Sequence, residues 1–235
     1  IMNFRLFYYL SFFTLCVSYS VLAQTHPDNI SGLHMWLRAD SATVVNDGKI
    51  TEWKDISAKS FNAQQATNVN QPDFVTNAIN SMPAISFNGS SHYMLLPQHL
   101  LNDITSLSMF YVLNVKDMDR NSGIFGSNID YFSFELSTIS NKGVLRIRQN
   151  DENNPIISDA NLFSPVSSWN ILSIIASNNN GKIWKNSISL AVTASNAKLP
   201  ILPDTQKALG RYAGGHGDFY GLFDIAEFII YDRAL

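Results

Sequence analysis

The ten residues Arg211-Tyr212-Ala213-Gly214-Gly215-His216-Gly217-Asp218-Phe219-Tyr220 hold the densest set of groups able to contact a ligand. Glycines let a bound molecule approach the backbone closely. Tyr212 and Tyr220 offer rings that stack on a sugar, while Arg211, His216 and Asp218 offer hydrogen-bonding ends for hydroxyls. These five side chains form the candidate binding set. The competing reading is a connection whose aromatics pack on the edge of the fold.

Catalysis finds less support. Glycoside hydrolysis needs two carboxyl groups flanking one bond. Carboxylates two apart on a strand would share a face. The glutamates are Glu52, Glu135, Glu152 and Glu227, and none of them neighbours another. Asp224 and Glu227 are three apart, which strict alternation sends to opposite faces. Serine chemistry lacks a Gly-x-Ser-x-Gly elbow. His26, His34, His92, His99 and His216 lack the His-Glu-x-x-His spacing of a zinc protease. No catalytic residue is therefore assigned. Glu227 has two readings: a buried carboxyl acting as an acid, or an anchor that holds a neighbouring loop through backbone N–H groups or an arginine. His34 lies in an apolar run and reads as a packed residue. Trp36, Trp53, Trp169 and Trp184 each sit in or beside an apolar strand and read as packing.

The elements that must position these groups are short strands. The closing stretch 221–235 reads as one long central strand. Alternation places Leu222, Ala226, Phe228 and Ile230 on one face and Phe223, Ile225, Ile229 and Tyr231 on the other, both covered. Further strands are expected at 34–38, 49–53, 107–115, 123–126, 131–136, 144–148, 169–176, 182–185, 188–192 and 208–211. Residues 84–87 and 93–96 are expected to pair as a hairpin about Asn88-Gly89. Residues 54–72 read as a surface loop, and 98–104 holds one short helical turn. Recurring short strands separated by turn residues indicate an all-β sandwich or barrel.

Residues 1–23 carry Arg5, an apolar run and the small or aliphatic Val21-Leu22-Ala23, which is the pattern of a secretory signal peptide. Its apolar core is shorter than the roughly 20 residues a membrane span needs. No later stretch is long enough to span, so no membrane span is expected after signal removal. The single cysteine, Cys16, lies inside the signal, so disulfides, thiol catalysis and cysteine-bound zinc are absent from residues 24–235. Without Arg5 the 16 basic residues become 15, against 19 acidic. With no basic run, nucleic acid is not an expected partner. One domain, 24–235, follows the signal, and the expected location is secreted or at the cell surface, in a bacterium.

Several motifs then occur in order: Trp36-Leu37-Arg38-Ala39-Asp40, Trp53-Lys54-Asp55-Ile56-Ser57, Gln71-Pro72-Asp73-Phe74, Pro83-Ala84-Ile85-Ser86-Phe87-Asn88-Gly89, Leu209-Gly210-Arg211 and the closing Ile225-Ala226-Glu227 to Leu235. In this the chain resembles the laminin-G-like, concanavalin A-like lectin/glucanase domains of bacterial secreted and surface proteins. It departs at Asn186-Ser187, where the family often has Asp-Gly. Relatives usually continue beyond the equivalent of Leu235, so the resemblance leaves a longer protein open.

The resemblance implies a two-sheet antiparallel jelly-roll β-sandwich. Glucanases on this sandwich use Glu-x-Asp-x-x-Glu, which this chain lacks. The resemblance also implies a possible calcium site of turn oxygens, for which Asp117, Asp119 and Asp130 are the candidates, with Asn121 and Asn128 beside them. Turn chemistry alone also places Asp and Asn there. The expected function is a non-catalytic recognition module for carbohydrate. The alternative is a structural or protein-interaction module of a larger adhesin, with a surface protein as partner. A glycoside hydrolase or polysaccharide lyase stands third.

Overall fold

The computed structural model describes residues 26–117, 122–127, 134–139, 142–149, 152–160, 166–177, 180–195, 206–214 and 217–235. The expected signal peptide lies outside them. In chain order the strands are β1 (Leu33–Arg38), β2 (Thr43–Asn46), β3 (Lys49–Trp53), β4 (Ala63–Gln64), β5 (Asp73–Ile79), β6 (Met82–Asn88), β7 (Met94–Leu96), β8 (Ser106–Val115), β9 (Ser122–Ser127) and β10 (Phe134–Ile139). They continue as β11 (Lys142–Gln149), β12 (Glu152–Ala160), β13 (Trp169–Ser177), β14 (Asn180–Lys185), β15 (Ile188–Ser189), β16 (Val192–Ser195), β17 (Lys207–Leu209), β18 (Arg211–Gly214), β19 (Gly217–Tyr220) and β20 (Leu222–Tyr231). The expected helical turn is a 3-10 turn, Gln98–Leu101, which buries Leu100 and Leu101.

The pairings sort into two antiparallel sheets. The first runs β5–β6–β20–β8–β13–β14–β15, with β1 lying beside β20 beyond the end of β6. The second runs β2–β3–β4–β7–β17–β9–β10–β11–β12–β16, and the hairpin β18–β19 leans on β9. One residue pair, Lys49↔Asp73, joins them. Between the sheets lies one core, to which β8 contributes Leu107, Met109, Tyr111, Leu113 and Val115. Phe125 of the second sheet meets Phe228 of the first edge-on, with ring centroids 5.3 Å apart. The chain is thus the expected all-β jelly-roll sandwich.

Several local expectations fail: 54–72 holds β4 and the buried Phe61 and Ala63, and 188–192 divides between β15 and β16. Two further failures reach the site. The first concerns β20. Ile225 faces Leu113 and Glu227 faces Val112, so Ala226 is an extra residue in the ladder. Such a bulge reverses the alternation beyond it. Phe223, Ile225, Phe228 and Ile230 therefore all enter the core. Asp224, Glu227, Ile229 and Tyr231 share the outer face, as do the residues paired with them on β8, Asn114, Val112, Phe110 and Ser108. The strand is central, but only one of its faces is fully covered. The carbonyl released by the bulge accepts the Ala39 N–H at 2.9 Å.

The second failure is the 84–87/93–96 hairpin. β6 pairs with β5 and β20, whereas β7 pairs with β4 and β17. The Asn88-Gly89 turn carries the chain from one sheet to the other. The Asn88 carboxamide oxygen accepts the backbone N–H groups of Ser90, Ser91 and His92, which closes a corner in place of a ladder.

The loop after β3 is fixed by one carboxylate. Asp55 accepts the backbone N–H groups of Trp36, Ser57 and Phe61 and the Ser57 hydroxyl, each at 2.8 Å. This is the physical content of the Trp53-Lys54-Asp55 motif: it ties β1 to the loop that follows β3.

Candidate functional site

Residues 211–214 and 217–220 pair as β18 and β19 at the rim of the second sheet. Arg211 pairs with Tyr220, Tyr212 with Phe219 and Ala213 with Asp218. The base of this strand pair fits because of glycines. Gly210 has φ of +86°, and a Cβ there would collide with the Phe87 ring. A Cβ on Gly123 would run into the backbone of Tyr212 and Phe219, so only glycine lets β9 pass beneath the hairpin.

Of the five candidate binding residues, Arg211, Tyr212 and Tyr220 are placed with their side chains. Asp218 is placed in β19 by its backbone alone, and His216 lies outside the described residues. Tyr212 is buried and stacks on Phe219, with ring centroids 4.9 Å apart and planes 17° apart. Its ring serves the hairpin, as the packing alternative expects. Arg211 and Tyr220 are half-buried.

Both meet a residue the sequence did not single out. The guanidinium carbon of Arg211 lies 3.7 Å from the centroid of the Tyr93 ring, inside cation–π range. Tyr220 stands 6.4 Å from the same ring, tilted by 51°. Tyr93 is itself half-buried, and its backbone is held by two bonds: its N–H to Asn70 O, and its carbonyl to the Gln65 side-chain amide. The result is a fixed platform of two tyrosines around one guanidinium. Such a set can stack on an apolar ring face and donate hydrogen bonds at its edge. Only the long separation of Tyr93 from the 211–220 stretch hid it.

Next to Tyr93 in the chain, His92 is buried. Its Nδ1 lies 3.4 Å from Ser86 O and 3.9 Å from Asp73, which also binds Lys49 at 2.6 Å. Burial, aided by the Lys49 charge, holds the imidazole below its ordinary value, with Ser86 and Asp73 opposing.

On the outer face of the first sheet, Glu227 is anchored through its side chain. Its partner is neither a backbone N–H nor an arginine: the Trp36 indole Nε1–H donates to Glu227 Oε1 at 2.7 Å. Asp224 accepts from Lys116 Nζ at 2.6 Å. The bulge puts these two carboxylates on the same face, correcting the opposite-face expectation, but each already has a partner. His34 donates from Nε2 to Leu100 O at 2.7 Å and is a packed residue. Trp53 is fully buried with its Nε1–H on Arg38 O, and the Trp169 Nε1–H bonds Ala78 O.

Of the calcium candidates, Asp117 follows β8 half-buried, while Asp119 and Asp130 lie outside the described residues. Among the described residues, no three His, Cys, Asp or Glu side chains gather closely enough to hold a metal ion. No helix among them is long and apolar enough to cross a membrane.

Several solved structures share this fold. The binding domain of Paraclostridial Mosquitocidal Protein 1 matches with a TM-score of 0.64 at 15% identity, over 87% of this chain and 49% of that one. Trypanosoma rangeli sialidase, in complex with a difluoro-KDN, matches with a TM-score of 0.58 at 16% identity, over 88% of this chain and 31% of that one. A mutant of HCR/D matches with a TM-score of 0.60 at 12% identity, over 87% and 48%. At such identities the likeness is one of fold. The chain spans half or less of the length of each. No protein-family model matches the chain, and no curated protein does.

Proposed function

We propose that this chain is a secreted or cell-surface recognition module of laminin-G-like type that binds carbohydrate without catalysis. The observation that carries the reading is the Tyr93–Arg211–Tyr220 platform: half-buried aromatic rings and a guanidinium, held by strand pairing at a rim. Asp218, on β19, and His216, two residues before it in sequence, complete the proposed contact set. The sandwich fold is compatible with this, and one structure of similar fold is described as a binding domain. Export rests on the 1–23 signal pattern. Calcium at Asp117, Asp119 and Asp130 is a proposed accessory.

The test is a glycan array probed with the purified protein, in calcium and in chelator, beside Arg211→Ala and Tyr220→Ala. The reading expects a defined set of glycans to be bound and that set to be lost in both variants. Array binding that both variants retain would move the site elsewhere, and an array with no binding would remove the reading.

A second reading has its own observation. Ile171 on β13 and Ile188 on the edge strand β15 of the first sheet are 52% and 68% exposed. Exposed apolar residues at an edge suit a protein partner. In that case the module is an interaction element of an adhesin, and capture by a surface protein persists when every sugar fails.

A further inference from the structure

On the outer face of the first sheet, where β1 meets the Ala226 bulge, a cleft of about 180 Å³ opens. It is lined by the polar Arg38, Asp40, Asn80 and Glu227 and by apolar residues that include Met82, Pro83 and Val112. Arg38 and Glu227 are directly opposed in the β1–β20 ladder. Opposite charges in that register ordinarily pair, yet these two do not. Arg38 Nη2 binds Asp40 at 2.7 Å, and its guanidinium lies 5.5 Å from the Trp36 ring centroid. Glu227 is drawn aside by the Trp36 indole. Two neighbours of opposite charge are thus held by other partners, and both line the cleft. Asn80 and Ser81, with φ of +47° and +64°, make the tight β5–β6 turn that sets the Asn80 amide at the rim. Met82 beside it is 43% exposed.

We propose that this cleft is a second carbohydrate subsite, taking a single uncharged pyranose ring; the proposal rests on the carbohydrate-binding reading above. The volume is below the several hundred Å³ of a pocket for a larger ligand, so one ring fits and a chain does not. The Asp40 and Glu227 carboxylates accept hydroxyl hydrogens, while Arg38 and Asn80 donate to hydroxyl oxygens. The apolar lining residues meet the C–H face of the ring. One cation against two carboxylates leaves a net negative cleft, which disfavours uronic and sialic acids and favours neutral sugars. The Tyr93–Arg211 platform lies on the second sheet and carries a cation, so the two sites would differ in what they accept.

The experiment is a titration of the ¹⁵N-labelled protein with methyl glucopyranoside, methyl galactopyranoside, methyl mannopyranoside and glucuronic acid. The readout is the Trp36 indole N–H signal, assigned by its loss in Trp36→Phe. The expected result is a saturable shift with at least one neutral glycoside and none with glucuronic acid, at least fivefold weaker in binding for Asn80→Gly. That variant keeps the left-handed turn, and its own spectrum reports its fold. Shifts confined to the 211–220 hairpin and Tyr93 overturn this subsite while the carbohydrate reading stands. Equal binding of glucuronic acid at Trp36 also overturns it. A spectrum unmoved by all four sugars overturns the subsite, whereas the carbohydrate reading is decided separately by the array.

Discussion

The Arg211 guanidinium sits over the ring of Tyr93, 3.7 Å from its centroid, although 118 positions of sequence separate them. A half-buried cation–π pair contributes about 1 kcal/mol. A double-mutant cycle of Tyr93→Leu and Arg211→Met, followed by urea unfolding, should return a coupling of about that size. Strictly additive losses would mean that the pair adds nothing beyond separate packing.

Asp55 should be among the most sensitive polar positions. Asp55→Asn replaces one acceptor oxygen with a donor that faces N–H groups already present. Buried donors left unpaired cost about 1–3 kcal/mol each. The expected loss is about 3 kcal/mol in chemical denaturation, with β1 detached from the 55–61 loop in hydrogen exchange. A loss near zero would show that water replaces those bonds freely.

Gly210→Ala forces a side chain into left-handed backbone and against Phe87. The expected cost is at least about 2 kcal/mol. Gly48→Ala is its control. Gly48 also has positive φ, but nothing lies near its added Cβ. It should lose less, and equal losses at both positions would rule out the Phe87 contact as the cause.

His92 gives a pH dependence of fixed sign. Its folded value lies below the ordinary 6.5, so the folded state favours the neutral ring. Its contribution is complete above 6.5 and declines as pH falls from there toward the folded value. Thermal midpoints of the native protein should therefore fall more steeply below pH 6.5 than those of His92→Gln. Parallel curves would assign the acid sensitivity to other groups.

Much of this fold is legible in the residues. The longer apolar strands such as β8, β13 and β20, the central place of β20 and the packed roles of His34 and Trp53 follow from alternation and apolar runs, whereas β2, β4, β5 and β12 are too short or too interrupted by polar residues to announce themselves. What failed was local. One extra residue at Ala226 reverses a period-two pattern, and no composition signal marks it, because alanine fits either face. Asn88-Gly89 has the chemistry of a hairpin turn, but three bonds to the Asn88 side chain make it a corner between sheets. The site was half legible. The 211–220 stretch announces itself by its residue types, whereas Tyr93 joins it only through the pairing of β7 with β17. Conversely, Tyr212 looked like a platform and is buried against Phe219.

The most direct measurement is a thermal-shift screen of the purified protein against oligosaccharides and polysaccharides, with calcium and with chelator, repeated on Tyr220→Ala. A ligand at 100 times its dissociation constant adds about 2.7 kcal/mol of stability, enough to read in a melting curve. A sugar-specific rise in Tm is expected for the native protein and none for Tyr220→Ala. No rise with any sugar, or the same rise in the variant, would contradict carbohydrate recognition at this hairpin.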